Sequence, residues 1–358
     1  PSAVYDATAG QVILATVASA QIQLRVSQNL LDWSRPAVAT LAEAAPFAEV
    51  RYPSLIGELD DANVAGGAPW LFYSREPPDG TWPQTEFMVR RLQVFDLSPC
   101  APSGGPTPLV AAILPSSRSV QVGTPATAFA TILNAGQATA TAVRITPTSG
   151  LPIGFAFQMT DPSTNAVTGT VNTAVDIPPG GGQSFVISLT PTAAVPSTTM
   201  TFDFCGTNAA PVSTIPGVNT LLFSASATPI PDVVALAATI SNDGIVNVPG
   251  ATGSAAFAVA TVNVGATGAI TATADTGSVT LPVSIALCQT NPSTGQCTSA
   301  IAGSVTTTIA QNATPTFAIF VTGTGTVPFD VASNRIFVKF ADESGITRGS
   351  TSVAVRTQ

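Results

Sequence analysis

Hydrophobic and polar residues alternate almost one for one along much of this chain. In QSFVISLT, residues 183–190, Phe185, Ile187 and Leu189 fall on one side and Ser184, Val186 and Ser188 on the other. That period of two puts successive side chains on opposite faces of a strand. Segments of this kind recur between turns rich in Gly, Pro, Asn and Asp, roughly seven to each ~120 residues, which is the pattern of an aligned two-sheet sandwich rather than of a helical solenoid or a barrel.

The alternating pattern is itself duplicated. AFATILNAGQATATAVRIT at 128–146 aligns with AFAVATVNVGATGAITATA at 256–274, Asp161-Pro162-Ser163-Thr164 with Asn291-Pro292-Ser293-Thr294, and QSFVISLT at 183–190 with PTFAIFVT at 315–322. The offsets are 128, 130 and 132 (256 less 128, 291 less 161, 315 less 183), a drift that small insertions at turns produce. The predicted organisation is a β-rich segment over 1–97, a linker over 98–108 within LSPCAPSGGPTP, one immunoglobulin-like β-sandwich over 109–228 and a second over 229–358. Two prolines in the connector ATPIPDV, 227–233, limit bending between the sandwiches. In this arrangement 108–358 resembles tandem bacterial immunoglobulin-like surface domains.

Composition narrows the class. Only 9% of the 358 residues are charged, with one lysine, Lys339, so Thr, Ser, Asn, Gln and Gly must cover the surface. Helix formers are too scarce for an α-rich fold. No apolar run reaches the length of a membrane-spanning helix. The net charge of −8 and the lack of any Lys/Arg cluster argue against nucleic acid as a partner. Pro1 is followed by strand-like sequence and not by a signal peptide, so any targeting signal is expected upstream of it.

Chemistry is sparse as well. The chain has no histidine, which removes Ser/His/Asp and Cys/His catalysis, and Lys339 stands alone in RIFVKFAD. No zinc site can be assembled without His or a CxxC pair. Gly180-Gly181-Gly182 lies between prolines and a strand, reading as a turn and not a phosphate cradle. Ser241-Asn242-Asp243-Gly244 and Asp342-Glu343 fall short of a dedicated calcium loop. Asn312-Ala313-Thr314 fits the N-glycosylation rule, which in a bacterial chain is idle. No cofactor is expected.

Four cysteines remain. Cys288 and Cys297 bracket Asn-Pro-Ser-Thr-Gly, a turn that predicts a hairpin joining them as a disulfide, the alternative being two buried thiols. Cys100 and Cys205 are the other pair, and a bridge between them would tie the linker to the second domain. Paired cysteines imply an oxidising compartment.

Residues 1–96 are of a different kind, holding all three Trp, all three Tyr and 17 of the 32 charged residues. QIQLRVSQNLLDWSRPAVATL at 21–41, RYPSLIGELDDANVAGGAPWLFYSRE at 51–76 and FMVRRLQVFDL at 87–97 resemble closing blades of a glycosidase- or sialidase-type β-propeller. The resemblance implies structural roles for Ser27, Asn29 and Trp33, although the Ser-to-Trp spacing is six and not seven and the family's glycine is missing. It covers about one or two blades, which implies that the chain is the carboxyl-terminal part of a longer product. Asp32, Glu49, Glu58, Asp60 and Asp61 are the candidates for the two carboxylates that glycoside hydrolysis needs, yet Asp60-Asp61 followed by Asn63 and Gly66-Gly67 reads as an exposed loop of solvated turn residues. Tyr52, Trp70, Tyr73 and Trp82 are the aromatic rings that could stack on a sugar, the alternative being ordinary blade packing.

The sequence thus predicts a non-catalytic, secreted or cell-surface bacterial protein that spaces or assembles subunits through sandwich edges and faces, with self-association or another surface protein as the partner. The second reading is a carbohydrate-binding accessory part of a glycoside-hydrolase-like protein, with a glycan as partner.

Overall fold

The computed structural model describes residues 1–7, 11–18, 20–27, 30, 39–41, 49–65, 69–76, 85–92 and 107–358. The protein is all-β: among the described residues all regular structure is strand. The chain forms two compact units, one of residues 1–100 with 172–174, the other of the rest of 101–358.

In the first unit, four strands in chain order, Ser2–Asp6, Gln11–Ala18, Gln21–Ser27 and Ala39–Leu41, pair antiparallel as an up-and-down sheet, and Val64–Ala65 joins the free side of the first in parallel. A second sheet orders Glu49–Ile56, Trp70–Glu76 and Glu86–Arg91. The two share a core of Val4, Ile13, Ala15, Ile22, Val50, Leu55, Leu71 and Tyr73.

The second unit holds the duplicated sandwiches. In the first, a four-stranded sheet runs Leu109–Leu114, Ala126–Asn134, Gly182–Pro191, Ile153–Thr160. In the second, Val233–Ala238, Ser254–Asn263, Thr316–Gly323 and Val283–Thr290 take the same order. Alternation decides the facing: Phe185, Ile187 and Leu189 are fully buried while Val186 and Ser188 are half-buried on the outer side. Each fully buried Phe, Ile or Leu contributes about 1.5–3 kcal/mol.

Opposite each four-stranded sheet lies a second layer. In the second sandwich it is one five-stranded sheet, Ile245–Val248, Thr347–Thr357, Arg335–Asp342, Gly268–Asp275, Ser304–Ile309. In the first it divides into Ser117–Gln121, Leu221–Ser226, Val195–Met200 and Val175–Ile177, Ala140–Pro147, Phe202–Cys205. The division falls at Thr201, whose carbonyl accepts from Thr148 N–H at 3.0 Å where Arg335–Asp342 continues unbroken and pairs on both sides.

The duplication extends to single hydrogen bonds. Asn134 is fully buried, donating through Nδ2 to the Ala138 and Ile177 carbonyls at 2.8 Å and accepting from Gly136 N–H at 2.9 Å. Asn263 donates to Ala266 and Ile309 at 2.8 and 3.0 Å and accepts from Gly265 N–H at 3.1 Å. In each copy one buried amide satisfies at least three backbone groups where a strand leaves its sheet, Asn263 serving a fourth, Asp232 N–H at 3.1 Å, and such groups would otherwise be costly to bury. The Asp161 and Asn291 turns match likewise, each side chain capping the backbone N–H groups two and three residues on at 2.8–3.2 Å. Gly180–Gly182 is a turn entering a strand, with Gly180 N–H donating to Asn134 O.

Candidate functional site

No Asp, Glu, Lys or Arg occurs in any strand of either four-stranded sheet. On the outer face of the first, Leu114, Phe129 and Val186 stand in register, beside the pair Val110 and Leu133. On the second, Leu236 opposes Ala260, Ala258 opposes both Ala238 and Ala318, and Ala256 opposes Phe320. Val110, Leu114, Phe129, Leu133 and Leu236 are exposed large apolar side chains. Charged side chains of the sandwiches sit on the opposite sheets and in turns, among them Arg118, Arg335, Lys339, Asp342 and Arg348.

The edges of these sheets are not alike. Beside Val283–Thr290, the following loop folds back: Leu287 and Ala302 exchange both backbone hydrogen bonds, at 2.8 and 3.0 Å, Thr298 N–H donates to Gln289 O at 2.8 Å, and Cys288 is disulfide-bonded to Cys297 across a Cα separation of 5.7 Å. Beside Ile153–Thr160, Thr168 N–H donates to Met159 O and Gln158 Nε2 to Gly169 O, both at 2.8 Å. Such covering loops close an edge to strand addition. At the opposite edge of the first sheet, Ile113 N–H donates to Val218 O at 2.7 Å. Val233–Ala238 is an edge on whose far side no strand is hydrogen-bonded among the described residues, and it carries no charged residue, although its first residue packs closely against Gly349.

The two sandwiches are joined by buried polar contacts. Arg118 Nε and Nη2 reach Asp232 Oδ2 at 3.0 and 2.9 Å, and Ser119 N–H donates to Asp232 Oδ1 at 2.9 Å. Both charged side chains are largely withdrawn from water, 12% and 3% exposed, and Arg118 also donates to the Thr127 carbonyl. Burial pushes the Asp232 carboxyl above its ordinary value, against the pull of Arg118 and Ser119. Further along, Ser116 Oγ donates to Ser350 O at 2.8 Å, Ser350 N–H to Ser117 Oγ at 2.6 Å and Arg348 Nη1 to Ser224 Oγ at 3.0 Å. The pair is held by more than its proline connector.

The aromatic residues singled out in the sequence separate by exposure. Tyr52 is 68% exposed, in a left-handed backbone conformation (φ 52°) at a register shift of its strand. A non-glycine residue held there costs about 1–3 kcal/mol, as residues at binding sites do. Trp70 is half-buried with the Arg91 guanidinium 5.2 Å from its ring centroid. Tyr73 is 2% exposed and its hydroxyl accepts from Arg90 Nε at 2.8 Å, so this ring belongs to the core and is closed to a sugar from solvent. Trp82 lies outside the described residues. Sequence reasoning missed Phe72 and Phe87, which share the outer face of the three-stranded sheet with Trp70, Phe87 being 85% exposed. The period of two in WLFYSRE could have assigned Phe72 to Trp70's side.

Other candidates find ordinary places. Cys205 is disulfide-bonded, whereas Cys100 lies outside the described residues. Ser27 is buried, and Asn29, Trp33 and Asp32 lie outside the described residues. Asp61 caps Asn63 N–H at 2.8 Å, and Glu49 pairs with Arg51 at 2.7 Å. Asp243 accepts from Ile245 N–H, and Asp342 from Ser344 and Ile346 N–H and from Arg348 Nε. Among the described residues no three His, Cys, Asp or Glu side chains gather as a metal site, and no helix is long and apolar enough to cross a membrane.

No family model matches the chain, and no curated protein does. Among solved structures, it is similar to the secreted serine protease VesC from Vibrio cholerae, with 11% identity and a TM-score of 0.21 over 77% of this chain, and it spans 64% of that protein's length. It is also similar to the CupB6 tip adhesin from Pseudomonas aeruginosa, with 12% identity and a TM-score of 0.20 over 66% of this chain and 91% of the adhesin. Likenesses this slight leave the function to be read from the chain's own residues.

Proposed function

We propose that this is a non-catalytic protein of the bacterial cell surface or exterior that assembles with further copies of itself through the uncharged sheets of its sandwich pair. The observation that carries this reading is the absence of any charged residue from both four-stranded sheets, together with the unguarded Val233–Ala238 edge. A protein of net charge −8 disperses its copies through long-range repulsion, and a neutral face is where they approach at least cost. Natural sheets that stay apart protect such edges with Lys, Pro or bulges, none of which Val233–Ala238 carries. The disulfide supports an oxidising compartment. The lack of histidine supports a role without catalysis. Sedimentation velocity tests the reading: the wild-type chain should associate as concentration rises, and Leu236→Glu, at an exposed position, should weaken association at least about tenfold, ~1.4 kcal/mol. A wild-type chain monomeric at every concentration contradicts it.

A second reading keeps the propeller resemblance. The up-and-down sheet of four consecutive strands and the exposed outer face with Trp70, Phe72 and Phe87 favour a blade pair, and with it a carbohydrate-binding accessory role centred on Tyr52 and Trp70. Loss of glycan binding on Tyr52→Ala would favour it; unchanged binding would count against it.

A further inference from the structure

Two cavities, of about 310 and 230 Å³, open where the sandwiches meet, and Pro216, Ser278 and Phe337 line both. The Phe337 ring is the aromatic wall they share. It projects from the outer side of Arg335–Asp342, between the fully buried inward residues Ile336 and Val338. Two glycines grip its edges. A Cβ on Gly217 would stand 2.7 Å from Phe337 Cε1, and one on Gly277 2.7 Å from Cε2. Both glycines have positive φ, 74° and 65°, so any side chain there would be strained as well as obstructed.

The surroundings are fixed before any ligand arrives. Asn219, buried, accepts from Ile215 N–H at 2.7 Å and donates to Ser213 O at 2.8 Å, while Gly217 N–H donates to Thr220 Oγ1 at 3.0 Å. Ser352 Oγ donates to Gly217 O at 2.9 Å and itself receives Arg335 Nη2 at 2.9 Å. In contrast, the hydroxyls of Thr199, Thr214, Thr276 and Ser278, which line the cavities, are bonded to nothing among the described residues, whereas the Ser333 hydroxyl is engaged with Asp330. Of the charged groups at hand, Lys339 and Asp275 are spent on each other at 2.6 Å, and the Asp330 carboxylate accepts from the Ala332 and Ser333 N–H groups at 3.0 and 3.1 Å.

We infer that this junction is a binding site for a neutral saccharide. A rigid aromatic face suits the CH faces of a pyranose ring, unpaired hydroxyls suit its OH groups, and a wall whose charged groups are already engaged offers little to an ionic ligand. The site binds and does not hydrolyse, because hydrolysis needs two free carboxylates and both acids beside the cavities are engaged, Asp275 by Lys339 and by Gly277 N–H at 2.8 Å, Asp330 by the Ala332 and Ser333 N–H groups at 3.0 and 3.1 Å. This inference is independent of assembly through the uncharged sheets and of the aromatic face around Tyr52.

The test is an array of neutral gluco-, manno- and galacto-oligosaccharides, with sialylated and sulfated glycans as the charged contrast, probed with the full chain. At least one neutral glycan should bind, Phe337→Ala should weaken it at least about tenfold, and Tyr52→Ala should leave it unchanged. Thr199→Val with Ser278→Ala, two exposed positions outside the core, should also weaken it with the melting temperature unaltered. Failure of every neutral glycan to bind, binding confined to charged glycans, or binding unchanged in either set of groove variants would overturn the inference. None of these outcomes alters the sedimentation result.

Discussion

The two sandwiches are one design carried out twice, and their differences show which features the fold requires. The buried amides Asn134 and Asn263, the capped turns at Asp161 and Asn291, and the strand order of the four-stranded sheets are common to both. What varies is how the edge loop is fastened and whether the opposite layer is continuous. At the position where the second sandwich has Cys288, the first has Gln158, whose amide holds the Gly169 carbonyl. Where Asn291 caps one turn, Asp161 caps the other, a titratable group for a neutral one. Strand order and buried amides therefore define the module, and covalent or ionic fastening is an addition to each copy.

The largest way to break the symmetry is at the junction. Asp232→Ala leaves Arg118 buried without its partner and should cost about 3–5 kcal/mol in denaturant unfolding, whereas the double replacement Arg118→Met with Asp232→Leu should cost far less. A small loss for Asp232→Ala would mean that the sandwiches are not coupled there. Next, Cys288→Ser with Cys297→Ser removes a constraint on a short loop and should cost about 2–3 kcal/mol. The loss should fall on the second sandwich alone, read as faster amide exchange over 283–302 and not over 153–169.

Acid separates the copies more gently. The Ser163 hydroxyl and the Ser163 and Thr164 N–H groups hold the Asp161 carboxyl below its ordinary 3.8, and the Ser333 N–H and hydroxyl with the Ala332 N–H do the same for Asp330. Their stabilisation is present above that value and is lost as pH falls through the lowered one. Asp232 and Asp203 are pushed up by burial, so their contribution is full below 3.8 and is lost as pH rises through the raised values. The melting temperature should hold or rise from neutral pH down to about 4 and drop only below it. Asp161→Asn, which copies the second sandwich's turn, should blunt that drop, and a melting temperature that falls steadily from pH 7 would contradict these assignments.

Much of the fold was legible because alternation, turn residues and an internal repeat each carry their own signal. Phe185, Ile187 and Leu189 face inward as their spacing requires, and Cys288 and Cys297 meet across the turn between them. The candidate sites were less legible. Tyr73 is as aromatic as Tyr52, and only its place on the inner side of Trp70–Glu76 makes it core. Phe337 looked like one strand residue among many, because Gly217, which grips it, is distant in sequence and comes from the other sandwich. Charge-free sheets were visible only as a low overall charge until the strands sorted charged residues onto the opposite layer.

Assembly through the uncharged sheets is the claim on which the functional reading stands, and amide hydrogen exchange measured across a concentration series tests it most directly. Protection should grow with concentration over Val233–Ala238 and the outward-facing residues of the four-stranded sheets, with Ile245–Val248 unchanged as an internal reference. Exchange at Val233–Ala238 that is independent of concentration, in a chain that remains folded, would contradict it.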